Sequence, residues 1–521
     1  MSTDFRDTLR RLTDQVDTAA LANGLKGLEK ESLRATPEGG LAGTPHPAGL
    51  GSALTNDFIT TDFSEALLEF VTPARSDFAL THRFLADLHR FAYQHVGSEL
   101  LWPNSMPCRV GSDAEIPLAN YGSSNVGTMK TVYRRGLGER YGRIMQTIAG
   151  LHFNYSIDSS LWAPLAAIDE TADVDTARSS RYLGLLRNHR RYGWLLLYLF
   201  GASPAMCKSF IGASGRALPE FDADTVFEPY ATSLRMSDLG YSNKTQARLA
   251  ISLDTLDDYV SGLCRAISTP EPSYEKLGVK VDGRYRQLNA NVLQIENEYY
   301  SPMRPKRVAR SGERPTLALG RGGIEYVELR SVDLNPFDPV GITPSDARFI
   351  ELFLLYCLLE HSPMLDDEAL ARAQKNQTLT ATYGRDPGLL LYRDDGQILM
   401  TDWGLLLTDR LAVLAEVLDG QTGSDFSAAV AAQRCKLDSA EQTPSARLIE
   451  AMATSGQNFI DFNLALAETH RDRLGEQPLA PETAQAFAAE ALASAERQAA
   501  IEAADTISFD DYLAQYFADP C

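Results

Sequence analysis

Carboxylates spaced two residues apart inside otherwise apolar segments constrain this chain most. In residues 27–34, GLEKESLR, Glu29 and Glu31 are two positions apart, so a strand would project both from one face, roughly 7 Å from each other. Like charges that close repel strongly once buried, and a divalent cation relieves the repulsion. The same pair on an exposed edge strand would simply be solvated. Three more segments alternate with period two, residues 150–156, 289–300 and 323–333, which predicts strands there as well.

Each segment adds a chemical group. Residues 59–73, ITTDFSEALLEFVTP, carry Asp62, Glu65 and Glu69 among Phe63, Leu67, Leu68, Phe70 and Val71. Acids in so apolar a setting need partners. Oxygen ligands of this kind suit Mg²⁺ or Mn²⁺, although Glu65 equally fits a capping or Arg-paired role. In 150–156, alternation places His152, Asn154 and Ser156 on one face and Leu151, Phe153 and Tyr155 on the other. In 289–300, Gln294, Glu296, Glu298 and Tyr300 would share a face, and in 321–331 Ile324, Tyr326, Glu328 and Arg330 would. Glu328 and Arg330 could be a metal ligand and an oxyanion clamp, or a same-face ion pair. Residues 304–314 concentrate Arg304, Lys306, Arg307, Arg310 and Arg314, which suits a phosphate-bearing ligand or a solvated charged loop.

The strand-like segments alternate with helix-like runs, 76–96 and 179–200, without a regular βαβ beat. Polar residues on one strand face point to a mostly antiparallel sheet with one working surface. The expected fold class is therefore α+β: one catalytic unit over 1–521, with a sheet-bearing core at about 20–340 and a mainly helical part at about 341–521. Residues 1–17 read as an amphipathic helix with Phe5, Leu9, Leu12 and Val16 inside, and 481–504 as a solvated surface helix. A net charge of −20, from 49 Lys and Arg against 69 Asp and Glu, argues against nucleic acid or an anionic membrane as a partner. No apolar run reaches the length of a membrane span. The start lacks a signal-peptide pattern, and six scattered cysteines form no disulfide or zinc framework, so a reducing cytoplasm is expected. The P-loop GxxxxGKS/T, HExxH and GxSxG motifs are absent, so any ATP use must rest on metal ions and arginines arranged on a sheet.

At these residues the sequence closely resembles the bacterial type 1 glutamate–cysteine ligases, the γ-glutamylcysteine synthetases. The match is carried by GLEKESLR at 27–34, ITTDFSEALLEFVTP at 59–73, WPNSMPC at 102–108, YLFGASP at 198–204, PYATSLR at 229–235, DLGY at 238–241, NVLQIENE at 291–298 and GGIEYVELR at 322–330. It runs from about residue 24 to 339, returns at 445–452 and 502–513, and is thinnest across 370–439. The resemblance implies a fold similar to the glutamine synthetase core, with a curved, mostly antiparallel sheet as active-site floor. It implies ATP-dependent joining of the γ-carboxylate of L-glutamate to the amine of L-cysteine through γ-glutamyl phosphate, the first step of glutathione biosynthesis. Carried onto this chain, the metal ligands would be Glu29, Glu31, Asp62, Glu69, His152 and Glu328. The cysteine-side pocket would be Tyr133, His152, Arg235, Tyr241, Tyr300 and Arg330, with Arg330, Arg235 and His152 acting in catalysis. Mg²⁺ or Mn²⁺, ATP as co-substrate and glutathione as feedback inhibitor are also implied, and a monomer is expected. Three rivals differ in what they require: a ligase with another acceptor amine, a multinuclear metal hydrolase working without ATP, and a silent nucleotide or glutathione binder lacking some of these ligands.

Overall fold

A computed structural model describes residues 5–211, 217–240, 249, 251–310, 312–423 and 425–518. Its centre is a seven-stranded sheet. The strands are β1 (Leu25–Ala35), β2 (Ile59–Thr61), β3 (Leu67–Val71), β4 (Leu100–Leu101), β5 (Leu151–Ser156), β6 (Met303–Lys306) and β7 (Tyr326–Val332). They run in the order β6-β7-β5-β1-β3-β2, with β4 added to the end of β1 and every pair antiparallel. The α+β class expected from the sequence is observed.

Alternation along each strand separates two faces. Leu28, Leu68, Phe70, Leu151, Phe153, Val327 and Leu329 are fully buried on the back, where they join the main core. That back face also holds two lysines of β1. Lys26 pairs with Glu351 at 2.8 Å, and Lys30 Nζ lies 2.7 Å from His89 Nε2. Buried cations need such partners. Because His89 Nδ1 faces the Leu85 carbonyl at 2.8 Å, that nitrogen carries the proton and Nε2 accepts from Lys30, whose ammonium is pushed down to about 7 by burial.

Helices cover this back face. α1 (Phe5–Thr13) buries Phe5, Leu9 and Leu12, as the sequence predicts, but it ends before Val16. α2 (Phe78–Tyr93) starts at Asp77, whose side chain accepts from Ala79 N. The predicted helix over 179–200 is two helices: Val174–Tyr192 and Trp194–Phe200 meet at Gly193. α3 (Asn125–Tyr141) lies on the front side of the sheet. α4 (Pro344–Leu359) is opened by a Thr343/Asp346 capping box. Residues 349–359 of α4 are all buried, as an apolar helix in a protein core must be. No described helix is long and apolar enough to cross a membrane.

Beyond α4 the chain is mainly helical, as expected, with one hairpin, Leu390–Arg393 with Gly396–Leu399. α5 (Pro481–Ala504) matches its predicted span, yet it is more than a solvated helix. Phe487, Ala491 and Ser494 are buried, and Ser494 Oγ accepts from Ser52 N at 2.9 Å. α6 (Phe509–Ala518) then turns back toward α3. Cys108, Cys207, Cys357 and Cys435 are free thiols.

One predicted strand is absent. Residues 289–300 form loop and a short 3₁₀ turn, Glu296–Glu298. Glu296 turns in to Arg314 at 2.9 Å and Thr316 Oγ1 at 2.6 Å, and Glu298 to Arg140 at 2.9 Å. Two buried carboxylates seeking separate arginines pull the chain into a turn, so the period-two pattern there marks ion pairing rather than a pleat.

Candidate active site

The front of the sheet is set by register. Glu29 of β1 lies opposite His152 of β5, and Glu31 lies opposite Glu69 of β3. On the other side of β5, Asn154 faces Glu328 of β7, which in turn pairs with Arg304 of β6. The ladder between β5 and β7 then shifts between Leu329 and Val332, an irregularity at Arg330 of the kind that re-aims a side chain at functional sites.

These side chains meet. His152 Nδ1 sits 3.0 Å from Glu29 Oε2 and 3.7 Å from Glu328 Oε1. His152 Nε2 is 3.7 Å from Glu31 Oε1. Asn154 Nδ2 donates to Glu29 Oε1 at 2.9 Å, and Gly150 N donates to Glu31 Oε2 at 2.6 Å. Glu29, His152 and Glu328 each offer a ligand atom within 4.8 Å of the others. Asp62, at the β2–β3 connection, and Glu69 complete the acidic floor of a cavity of about 580 Å³.

Charge is unevenly balanced across this floor. Burial, then the neighbouring Glu29, Asp62 and Glu31, push the Glu69 carboxyl well above the usual carboxylate range. Glu31 is raised by burial and by Asp62. Burial also opposes ionisation of Glu328, but Lys306, Arg330, His152 and Arg304 outweigh it and hold that carboxyl well below its ordinary value. For Glu29, burial is likewise outweighed, chiefly by the His152 hydrogen bond. One flank of the floor is therefore compensated by cations, and the other, around Glu31 and Glu69, is acid against acid.

The predicted arginines stand at the compensated flank. Arg330 Nη1 donates to Glu328 Oε2 at 3.2 Å, and its Nε is buried with no hydrogen-bond partner among the described residues. Arg235 is 2% exposed. Its Nε donates to Asp333 Oδ1 at 2.7 Å and its two Nη atoms to the Arg330 carbonyl at 3.3 and 3.2 Å. The Tyr300 hydroxyl donates to Met236 Sδ at 3.2 Å. Arg235, Arg330, Tyr300, Tyr133, His152 and all five acids line the same cavity. Tyr241 lies outside the described residues.

Other singled-out groups serve the scaffold. Glu65 accepts from His46 N and Asn120 N, both at 2.6 Å, the structural role its spacing also allowed. Most of the basic run 304–314 is spent on the protein itself. Arg304 donates to the carbonyls of Asn297 and Tyr299, Arg307 to those of Gly322 and Gly323, and Arg314 pairs with Glu296. Only Arg304 and Lys306 of that basic set line the cavity.

Sequence reasoning missed a whole wall. Val126, Met129, Lys130, Arg134, Leu137 and Tyr141 line the cavity beside Tyr133. Their spacing of three and four is one face of α3. The signal was legible as a stripe, but it mixes apolar and basic residues and reads as neither core nor catalytic. Tyr512 and Tyr516 of α6 also line the cavity from the far end of the chain.

Comparison with known proteins finds relatives along nearly the whole chain. The family model described as Glutamate-cysteine ligase fits residues 9–380. The chain is 49% identical over 511 residues to the glutamate–cysteine ligase of Alcanivorax borkumensis, covering 96% of this chain and 97% of that one. It is 46% identical over 520 residues to that of Shewanella oneidensis, covering 99% of each. The crystal structure of glutamate–cysteine ligase from Francisella tularensis in complex with AMP superposes with a TM-score of 0.89 at 37% identity, over 95% of this chain and 97% of that one. A bifunctional glutathione synthetase from Pasteurella multocida gives 0.74 at 25% identity, covering 93% of this chain and 57% of that chain. An acidic sheet face of this register, a family model spanning most of the chain and relatives aligned nearly end to end lead to one conclusion: the chain belongs to the glutamate–cysteine ligase family.

Proposed function

We propose that this chain uses ATP to join the γ-carboxylate of L-glutamate to the amine of L-cysteine, giving γ-glutamylcysteine, ADP and phosphate, the first step of glutathione biosynthesis. The observation that carries this reading is the row of Glu29, Glu31, Asp62, Glu69, His152 and Glu328 on the floor of one cavity, with Arg235 and Arg330 at its side.

The chemistry follows from these groups. A carboxylate is a poor acyl donor, so its oxygen is first phosphorylated, giving γ-glutamyl phosphate. The donor set fits a hard divalent cation: carboxylate oxygens with one imidazole, and like-charged acids crowded at Glu31 and Glu69. Magnesium, with manganese as the alternative, would supply charge neutralisation between the γ-phosphate and the attacking carboxylate. Arg330, fixed by Glu328, offers a directed donor to the transferring group. Arg235, rigid against Asp333, and the Tyr133 and Tyr300 hydroxyls orient cysteine so that its amine faces the acyl carbon. We further propose that the enzyme works in the cytoplasm as a monomer and that glutathione, which contains both product residues, inhibits by filling the same cavity.

The cation has its own test. Adding magnesium to substrate-free protein is expected to raise the melting temperature by relieving repulsion among the floor acids, and a chelator should reverse the rise. No shift at millimolar magnesium would remove the cation from the acidic floor.

The reaction is tested by ADP release from purified protein with MgATP and L-glutamate, with and without L-cysteine, followed by mass analysis. Cysteine-dependent ADP release with a γ-glutamylcysteine mass is the expected result. Turnover that ignores cysteine but responds to another amine would keep the ligase chemistry and discard the acceptor.

A further inference from the structure

Only Phe487, Ala491 and Ser494 of α5 are buried, and much of its attachment is polar. Glu490 accepts from Asp57 N at 3.0 Å, Arg497 donates to the Thr55 carbonyl at 2.6 Å, and Gln498 accepts from the Ser52 hydroxyl. These partners lie on the approach to β2, which ends next to Asp62. The end of α5 and the turn after it reach a second segment, the start of α3. Glu502 accepts from Ser123 N at 2.7 Å, Asp505 accepts from Asn125 N, and Asn125 Nδ2 donates to the Ile507 carbonyl at 3.1 Å. A glycine marks each contact. Gly51 and Gly122 have φ of 81° and 83°. A Cβ would run into Ala491 and Ser494 at the first and into Gln498 and Glu502 at the second, so glycine allows both the conformation and the approach.

The two gripped segments carry facing parts of the cavity. Asp62 follows β2, while Lys130 and Arg134 line the cavity from α3. Tyr121 sits between them. Its hydroxyl donates to the Thr61 carbonyl at 2.6 Å, and its ring centroid lies 5.2 Å from Lys130 Nζ and 4.5 Å from the Arg134 guanidinium carbon, a cation–π arrangement. The two cations differ in how they are held. Arg134 Nε donates to the Asp62 carbonyl, which ties it to the floor directly. Lys130, nearer the start of α3, lies within electrostatic reach of Glu69, and its place follows from where that start is pinned. Carboxylates suit this end of the helix, where backbone N–H groups carry partial positive charge.

We infer that Glu502 and Asp505 are positioning residues for the proposed reaction: by pinning the start of α3 beside the segment that leads into Asp62, they set where Lys130 stands over the acidic floor. This rests on the ligase reading above and extends it beyond residues 9–380, the span that the family model covers. Neither carboxylate belongs to the cavity lining, so both act through α3. A shift of the helix by about 1 Å would slow the reaction without removing any group from the site.

The test uses the full chain and kcat for cysteine-dependent ADP release. With Glu502→Ala and Asp505→Ala together, kcat of the folded protein should fall about tenfold or more. Glu502→Gln with Asp505→Asn keeps both acceptor oxygens and should stay within about threefold of the parent. A Lys130→Met background separates positioning from a merely structural role: there the alanine pair should cost less than about threefold, because the group it positions is already gone. Should the alanine pair fail to fold, Asn125→Pro decides. Proline suits the first helical position after the Ser124 cap, so it keeps α3 but removes the N–H that Asp505 accepts, and the same loss of about tenfold is expected. An unchanged kcat in the folded alanine pair or in Asn125→Pro, or an undiminished loss in the Lys130→Met background, would overturn the assignment. Absence of cysteine-dependent ADP release from the unaltered protein would instead overturn the ligase reading on which it rests.

Discussion

Glu29→Ala should lower the rate of cysteine-dependent ADP release by about a thousandfold while leaving the circular dichroism of the fold intact. Glu29 accepts from His152 Nδ1 and Asn154 Nδ2 on the neighbouring strand, and its oxygens share the cluster formed with Glu328. Removing it takes a ligand from the cation and an orienting partner from the imidazole. The fold survives because the side chain is still 22% exposed and because its charge adds to the repulsion felt by Glu69, so its loss eases a strain. The same variant should lose most of the magnesium-induced rise in melting temperature. A rate within about tenfold of the parent, worth about 1.4 kcal/mol of barrier, would remove Glu29 from the metal set.

Arg140→Met is expected to cost about 3–5 kcal/mol of stability, read as a lower denaturant midpoint. Arg140 and Glu298 are both 0% exposed at the side chain and 2.9 Å apart. Arg140 also donates to Gln287 Oε1 and the Asn289 carbonyl, each at 2.8 Å, and lies 4.1 Å from the Tyr274 ring centroid. Taking the guanidinium away strands a buried carboxylate that still holds the Tyr141 hydroxyl at 2.5 Å and Gln294 N at 2.7 Å. Adding Glu298→Gln to Arg140→Met should recover part of the loss, because the amide keeps an acceptor without the charge. A loss below about 1 kcal/mol for the single variant would mean that the pair is screened by water as a surface pair is. The effect reaches the site, since Glu298 anchors the turn that brings Ile295, Asn297 and Tyr300 to the cavity.

The acidic floor was readable because strand geometry is local. Alternation in 27–34, 150–156 and 323–333 already sorts Glu29, Glu31, His152, Glu328 and Arg330 onto polar faces, and antiparallel pairing needs only the correct register to align them. Residues 289–300 show the limit of that logic. Their alternation imitates a strand, but the partners that fold them into a turn, Arg140 and Arg314, lie elsewhere in the chain. Glu65 shows the limit from the other side: residue type alone does not distinguish a ligand from an acid that caps the backbone of His46 and Asn120.

By itself the sequence determined the α+β class, the acids that meet on the sheet, the arginines beside them and the ligase chemistry that its motifs resemble. The class, the acids and Arg330 follow from backbone periodicity and from charge, both written within a few residues, whereas Arg235 and the ligase chemistry come from the resemblance of the motifs. Only the tertiary structure decided which carboxylates remain in the cavity and which are consumed by ion pairs. It also decided that one face of α3 is a wall of the site and that a helix at 509–518 closes the cavity beside residues 126–137. The physical reason is common to these cases. Burial and pairing set the energy of a buried charge or ring, and both depend on neighbours outside the local segment, 18 residues away for Arg314 and Glu296 and 158 for Arg140 and Glu298, which local periodicity does not encode.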